Sequence, residues 1–145
     1  MTKRVLIVED EIFVALEIEQ IVQQSGLDVI AIAADREEAL AVASLCDIAL
    51  VDLNLRDGPT GPGIGMELAS RHDVRVIYVT ANPDQIGAAS DTAIGFVTKP
   101  FGPHCIVAAL KQAIAEECDP EESRTDGFTP FLAARDAWRG GESIH

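Results

Sequence analysis

The feature that most constrains the fold is a regular alternation between short apolar runs and longer segments of helical period. Five runs rich in β-branched residues are typical of strands: KRVLIV, LDVIAIAA, DIALVDL, VRVIYVT and IGFVTK. In the first intervening segment, apolar residues recur at helical spacing at Ile12, Ala15, Leu16, Ile18, Ile21 and Val22. Strands that alternate with helices form βαβ units. We therefore predict an α/β fold, a doubly wound and mainly parallel five-stranded sheet with helices on both faces.

Local signals suggest the limits of the remaining helices. Asp35 is expected to cap a second helix that runs to about Leu45, with Glu38 completing a capping box. The Gly/Pro-rich stretch RDGPTGPGIG predicts a loop before a short third helix near 66–71. The stretch PDQIGAAS predicts a weak fourth helix, and a fifth helix is expected over 103–117.

Composition narrows the classes of partner. The 145 residues include 24 acidic and 11 basic side chains, for a formal net charge of -13. This balance argues against nucleic acid or an anionic membrane as a direct partner, because both require a positive surface. No apolar run approaches the roughly 20 residues of a membrane span, and no signal peptide is apparent. Cys46, Cys105 and Cys118 are widely spaced, without a metal-ligand pattern, and we interpret them as reduced thiols of a cytoplasmic protein.

The last part of the chain differs from the rest. We assign residues 1–118 to one domain and residues 119–145 to a C-terminal tail that contains Phe128, Phe131 and Trp138. The stretch TPFLAARDAW is compatible with a short amphipathic helix near 129–138. Two interpretations stay open, a frayed terminus and a segment that docks on its own domain or on a partner.

Polar side chains follow four of the five predicted strands. They are Glu9 and Asp10 after the first, Asp52 after the third, Thr80 at the end of the fourth, and Lys99, followed by Pro100, after the fifth. If the strand order is 2-1-3-4-5, these residues meet at one edge of the sheet, where α/β proteins bind their ligands.

The residue types at this edge indicate phosphoryl chemistry. Three carboxylates offer the hard oxygen ligands that Mg²⁺ prefers. Asp52 is expected to act as a nucleophile that forms an acyl phosphate, while Mg²⁺ and Lys99 neutralise the transferred charge. Thr80 is expected to donate its hydroxyl to a phosphoryl oxygen, and the small side chain of Ala81 leaves room for that group.

The motifs VLIVEDE, ALVDLNL, IYVTAN and GFVTKPF together resemble the receiver domains of two-component response regulators, over about residues 3–117. The resemblance implies a flavodoxin-like (βα)₅ fold similar to the chemotaxis regulators, and phosphotransfer from a sensor histidine kinase or phosphotransfer protein to Asp52. It further implies that Asp10, Asp52 and the backbone carbonyl of Asn54 bind Mg²⁺, with Glu9 helping through water. Lys99 would pair with the phosphoryl group, next to a Lys99–Pro100 bond that is often cis.

The resemblance also implies a switch in which Thr80 moves toward the phosphoryl group and Phe96 turns inward. The surface formed by the fourth strand, fourth helix, fifth strand and fifth helix would then contact a downstream protein. The stretch YVTANPDQI resembles receivers of the alphaproteobacterial general-stress families. The chain departs from the family at Arg56, where proline is common, and in a longer loop after Asp52.

Other function classes fit the residues less well. A phosphohydrolase would use Asp52-Leu53-Asn54, but such enzymes usually carry the nucleophile on their first strand, and a flavin-binding module needs a phosphate loop where this chain has Glu9-Asp10-Glu11. The main alternative is a phosphorylation-independent receiver that serves as a binding module. We expect a single-domain regulator that acts through protein contacts or as a phosphate relay. We expect no enzymatic activity beyond its own phosphorylation and dephosphorylation, and homodimerisation stays open.

Overall fold

The computed structural model describes residues 2–115 and 127–131 and contains a six-stranded sheet in the order β2-β1-β3-β4-β5-β6. The first five strands are parallel and the sixth is antiparallel. The strands are β1 (Arg4–Val8), β2 (Asp28–Ala33), β3 (Ile48–Val51), β4 (Arg75–Thr80), β5 (Gly95–Thr98) and β6 (Phe128–Pro130). The helices are α1 (Ile12–Gln24), α2 (Arg36–Ala41), α3 (Gly61–His72) and α4 (Pro103–Ile114). The predicted α/β fold and the predicted order of the first five strands are confirmed.

Helices cover both faces of the sheet, and each face has its own hydrophobic core. One core joins α1 and α4 to alternate strand residues such as Val5 and Ile7. The other joins α2 and α3 to the intervening residues Leu6 and Val8. Because both faces are buried, the central strands are apolar without interruption, as expected of a parallel sheet. None of the helices in the described part of the chain is long and apolar enough to cross a membrane.

Two of the predicted helices are shorter or less regular in the structure. The Asp35 side chain accepts a hydrogen bond from the Glu38 N–H at 2.9 Å, which is one half of the predicted capping box. The Glu38 carboxylate accepts in return from the Ala34 N–H at 2.7 Å, one residue before the cap, and α2 ends at Ala41 before a 3-10 turn. The predicted fourth helix consists of two 3-10 segments, Pro83–Gln85 and Gly87–Asp91. Gly87, the first residue of the second segment, has a φ of +56°, which is incompatible with one continuous α-helix through both segments. The last helix, α4, therefore corresponds to the fifth predicted helix.

The third helix begins five residues earlier than the sequence indicated, so the interpretation of GPGIG as loop was wrong. Pro62 occupies the first turn, where its missing N–H costs no hydrogen bond. Glycine lets the helix lie close to the sheet, since a Cβ atom on Gly61 would be 2.1 Å from the Asp52 carbonyl oxygen. A Cβ atom on Gly65 would likewise be 2.1 Å from the hydroxyl of Tyr78.

The sixth strand corrects the interpretation of the C-terminal segment. Phe128–Pro130 pairs with β5 in antiparallel orientation instead of starting a helix, while residues 132–138 of the predicted helix lie outside the described residues. Phe128 is buried in the core between α1 and α4. The interpretation of this region as a segment that docks on its own domain therefore holds for residues 127–131.

Candidate functional site

The backbone at the carboxyl ends of the strands brings the predicted site residues to one edge of the sheet. The pattern of sheet hydrogen bonds continues past the strands: the Asp52 N–H donates to the Val8 carbonyl and the Lys99 N–H donates to the Thr80 carbonyl, both at 2.9 Å. These bonds fix the main chain of Asp52 beside the end of β1 and that of Lys99 beside the end of β4. The peptide bond between Lys99 and Pro100 is cis, as the resemblance implied.

Lys99 connects two buried carboxylates. Its Nζ donates to Glu9 Oε1 at 2.7 Å and to Asp52 Oδ2 at 3.1 Å. Glu9 is 2% exposed and Asp52 is 8% exposed. Their other oxygens accept backbone hydrogen bonds, from the N–H of Glu11 at 3.1 Å and from the N–H of Leu53 at 2.7 Å. Each carboxylate is therefore compensated on both oxygens, although the site is largely removed from water.

The protonation of this pair follows from burial and from mutual contact. Burial raises the pKa of Glu9, and the hydrogen bond from Lys99 offsets only part of that effect. Burial alone would lower the pKa of Lys99, but the hydrogen bond and charge of Glu9, together with the charge of Asp52, outweigh it and raise that pKa. Lys99 is therefore a stable ammonium group at neutral pH.

The acidic residues form a cluster that suits a hard divalent cation. Carboxylate oxygens of Glu9, Asp10 and Asp52 all lie within 4.8 Å of one another, and Asp10 is exposed to solvent. Mg²⁺ prefers one or two carboxylates plus water and phosphoryl oxygens. Glu9 is almost fully buried, whereas Asp10 is exposed, so Asp10 is more accessible to a hydrated cation than Glu9 is. The donor set present thus fits Mg²⁺, with Glu9 in a supporting position.

Asn54 lies on the loop that follows Asp52 and is exposed. Its side-chain amide donates to Gln85 Oε1 at 2.9 Å, which links this loop to the first 3-10 segment after β4. The assignment of its backbone carbonyl as a cation ligand stays a prediction.

Thr80 and Ala81 lie on the other side of Asp52, at the end of β4. Thr80 is buried, and its hydroxyl oxygen accepts a hydrogen bond from the Asn82 N–H at 2.9 Å. The exposed Ala81 lines a cavity of about 460 Å³ beside Lys99. The other residues that line it are Val14, Glu17, Pro100 and Phe101. The cavity therefore borders Lys99 rather than the three carboxylates, and it lies between α1 and the loop after β5.

Phe96 lies apart from the acidic cluster. Phe96 pairs with Tyr78, whereas Thr80 pairs with Thr98, two residues further along β5. Its half-buried ring packs against Phe131, with ring centroids 5.5 Å apart and an interplanar angle of 33°. In this conformation the Phe96 side chain faces the C-terminal segment, and Phe96 is linked to the site only through the backbone of β4 and β5.

Contacts that the sequence did not predict hold the loop after Asp52. The Arg56 guanidinium forms ion pairs with Asp35 and Glu38, and the hydrogen bond from Arg56 holds the pKa of Asp35 below its usual range. Leu55 and Gly58 form an isolated bridge that closes the loop on itself. The departure from proline at position 56 thus has a structural counterpart, an arginine that fastens the loop to the start of α2. The closely spaced glycines that begin at Gly61 are the sequence feature from which the close packing of α3 on the sheet could have been predicted.

Comparison with known proteins agrees with this geometry. The family model described as response regulator receiver domain matches residues 5–111. The regulator PhyR of Methylorubrum extorquens is 33% identical over 118 residues, which cover 79% of this chain and 44% of PhyR. The transcriptional regulatory protein PdtaR of Mycobacterium tuberculosis is 28% identical over 120 residues, covering 78% of this chain and 57% of PdtaR. The chain spans about half the length of these relatives.

Solved structures give the same result. The receiver domain of PhyR from Erythrobacter litoralis superposes with a TM-score of 0.70 at 30% identity, covering 78% of this chain and 90% of that domain. PhyR from Brucella abortus superposes with a TM-score of 0.69 at 34% identity, covering 79% of this chain and 48% of PhyR. The acidic cluster, the lysine and the strand order are thus found in a chain that belongs to the response regulator receiver domain family.

Proposed function

We propose that this protein is a phosphorylation-activated switch in which Asp52 accepts a phosphoryl group from the phosphohistidine of a sensor kinase or phosphotransfer protein. The observation that carries the proposal is the contact of Lys99 with both Asp52 and Glu9 beside the exposed Asp10. A structural ion pair would need one carboxylate. Three carboxylates with one ammonium leave a negative excess that suits a cation and its phosphoryl ligand.

The chemistry requires little more than position and charge. An Asp52 carboxylate oxygen attacks phosphorus, the bond from phosphorus to the histidine nitrogen breaks, and that nitrogen keeps the electron pair. Asp10 and Asp52 would hold Mg²⁺, which neutralises phosphoryl oxygens when bound. Lys99, already a charged donor at 3.1 Å from Asp52 Oδ2, is positioned to pair with the transferred group. The chain catalyses only its own phosphorylation and dephosphorylation.

The phosphodonor reaches the site from the side of α1. The cavity beside Lys99 and Ala81 has room for an imidazole-sized group. Large apolar side chains are exposed on the adjacent first turns of α1, at Ile12, Phe13 and Leu16, with Phe13 85% exposed. An apolar patch of this kind is typical of protein contact surfaces. We place the reaction in the cytoplasm, where a kinase has access to ATP.

The output passes through protein contact. A phosphoryl group on Asp52 would recruit the Thr80 hydroxyl away from Asn82, and Phe96 would follow inward, which alters the surface around β4, β5 and α4. Solved relatives from Bartonella quintana carry the name anti-anti-sigma factor PhyR, which supports a downstream protein as the target, rather than nucleic acid or membrane. A homodimer of the phosphorylated form is a second possible assembly.

Intact-mass spectrometry tests the proposal. The full chain is incubated with Mg²⁺ and a small phosphodonor, beside Asp52→Asn as the acceptor variant. We expect a single phosphoryl adduct on the unmodified chain and none on the variant. NMR titration with beryllofluoride covers the case of rapid hydrolysis, because binding of this phosphoryl mimic does not depend on the lifetime of an acyl phosphate. If the chain shows no adduct and no spectral response, the proposal is overturned in favour of a phosphorylation-independent binding module.

A further inference from the structure

The edge of β5 is covered by the chain's own C-terminal segment, residues 127–131. Without it, β5 would be an edge strand with unpaired N–H and C=O groups, which readily pair with other chains. The antiparallel register aligns Gly95 with Pro130 and Phe96 with Thr129. One residue further, the Phe131 N–H donates to the Ile94 carbonyl at 3.0 Å.

Close contacts show that the segment fits this edge specifically. A Cβ atom on Gly95 would be 2.5 Å from the Thr129 carbonyl oxygen and 2.7 Å from the Phe128 ring. Gly127 has a φ of +90°, and a Cβ atom there would be 2.2 Å from the Cys105 sulfur. Glycine at both positions lets the segment approach the sheet and α4, so that Phe128 can be buried to 2% exposure.

The same segment contacts Phe96. The Phe131 ring packs on the Phe96 ring at 5.5 Å and is partly buried against both hydrophobic cores. Phe96 lies on β5, three residues before Lys99, which directly follows this short strand and contacts Asp52. A change at Asp52 that displaces β5 or the Phe96 ring would therefore act directly on the residues that hold the segment.

We propose that residues 127–131 are an intramolecular occupant of the β5 edge whose docking is coupled to the phosphorylation of Asp52. The segment is docked while the Phe96 ring packs outward against Phe131, and it is released when that ring turns inward. Release uncovers both the β5 edge and the surface that Phe131 covers, so the segment competes with the downstream protein for this face. The proposal rests on the phosphoryl switch described above.

Coupling of this kind is reciprocal, because a ligand that favours release must bind more tightly when the docked state is weakened. An aromatic pair contributes about 0.5–1.5 kcal/mol beyond the area it buries, which corresponds to a factor of about 2 to 12 in affinity. We expect Phe131→Ala to raise the affinity for beryllofluoride in the presence of Mg²⁺ by that factor. Leu45→Ala removes an exposed apolar side chain before β3, remote from this contact, and serves as the matched control.

Amide hydrogen exchange of the full chain with Mg²⁺, with and without beryllofluoride, completes the test. NMR shifts of Leu53 and Lys99 report whether the mimic binds. We expect binding to accelerate exchange at the Thr129 and Phe131 amides, which face β5 in this register, and Phe131→Ala to bind the mimic more tightly than Leu45→Ala. If the mimic binds while both amides keep their protection and the two variants have equal affinity, the coupling is disproved and the phosphoryl switch stands. If Leu53 and Lys99 do not respond at all, the switch and the coupling are both disproved.

Discussion

Replacement of Gly61 by alanine tests the close approach of α3 to the acceptor strand. A Cβ atom on Gly61 would lie 2.1 Å from the Asp52 carbonyl oxygen and 2.5 Å from the Leu53 Cα, whereas ordinary contacts begin near 3.4 Å. Both obstructing atoms belong to the backbone, so no side chain can rotate away. The Gly61 N–H also donates to the Leu53 carbonyl at 3.0 Å. The helix therefore cannot retreat without losing this hydrogen bond.

The size of the effect follows from comparison with a glycine two residues further along α3. Overpacking of a close contact typically costs about 1–3 kcal/mol. Gly63 has no atom within 4 Å of its hypothetical Cβ and is exposed, so alanine there stabilises by about 0.4–1 kcal/mol through the unfolded state. We expect the free energies of unfolding of Gly61→Ala and Gly63→Ala to differ by about 1.5–4 kcal/mol, with opposite signs relative to the unmodified chain.

Urea denaturation followed by circular dichroism, at fixed pH and without Mg²⁺, measures both variants. We expect a lower midpoint for Gly61→Ala, a higher midpoint for Gly63→Ala, and an unchanged dependence on urea for both, because the exposed area on unfolding is the same. Equal midpoints, or a more stable Gly61→Ala, would refute the argument that α3 is held against the backbone of Asp52 and Leu53.

Three further predictions concern the charged and buried groups. Lys99→Met leaves buried carboxylates uncompensated and should cost about 3 kcal/mol at pH 7. The pKa of Glu9 is raised in the folded chain, so the folded state holds this proton more tightly than the unfolded state and the stability of the variant should fall as pH rises. The loss of unfolding free energy relative to the unmodified chain, measured in urea, should therefore be smaller at pH 5 than at pH 7. An equal loss at both pH values would contradict this. Mg²⁺ at a hundred times its Kd should stabilise the unmodified chain by about 2.7 kcal/mol in thermal denaturation but not Asp10→Asn, and equal stabilisation would exclude Asp10 as a ligand. Burial, with the charge of Asp47, raises the pKa of Cys46 to about 11, so peptide mapping after alkylation at pH 8 should find it labelled only in denaturant; prompt labelling of the native chain would contradict its burial.

The strand ends could be predicted from the sequence because the relevant signal is local. A β-branched run followed directly by Glu9 and Asp10, or by Asp52, fixes where a strand ends and which groups follow it. Parallel strands then bring Lys99 to the same edge, and the structure has this ammonium within 3.1 Å of Asp52. The roles assigned to these residues in phosphoryl transfer stay predictions.

The helices and the C-terminal segment were less predictable because their conformations depend on distant contacts. The run GPGIG has loop-like propensity, yet it is helical because Gly61 and Gly65 fit against the backbone of Asp52 and the Tyr78 ring. In the sequence, Arg56 stood out only because proline is common at this position. Its ion pair with Asp35 could not be predicted, because the two residues are 21 positions apart.

The sequence by itself determined the α/β class and the residues that follow each strand, since these follow from period and spacing. The order of the first five strands was assumed, in agreement with the resemblance to receiver domains, and the structure confirms it. The tertiary structure alone decided that Phe128–Pro130 is a strand. Three residues have too little local preference to specify one, and the free edge of β5, the small Gly95 and the ring of Phe96 supply the missing stabilisation.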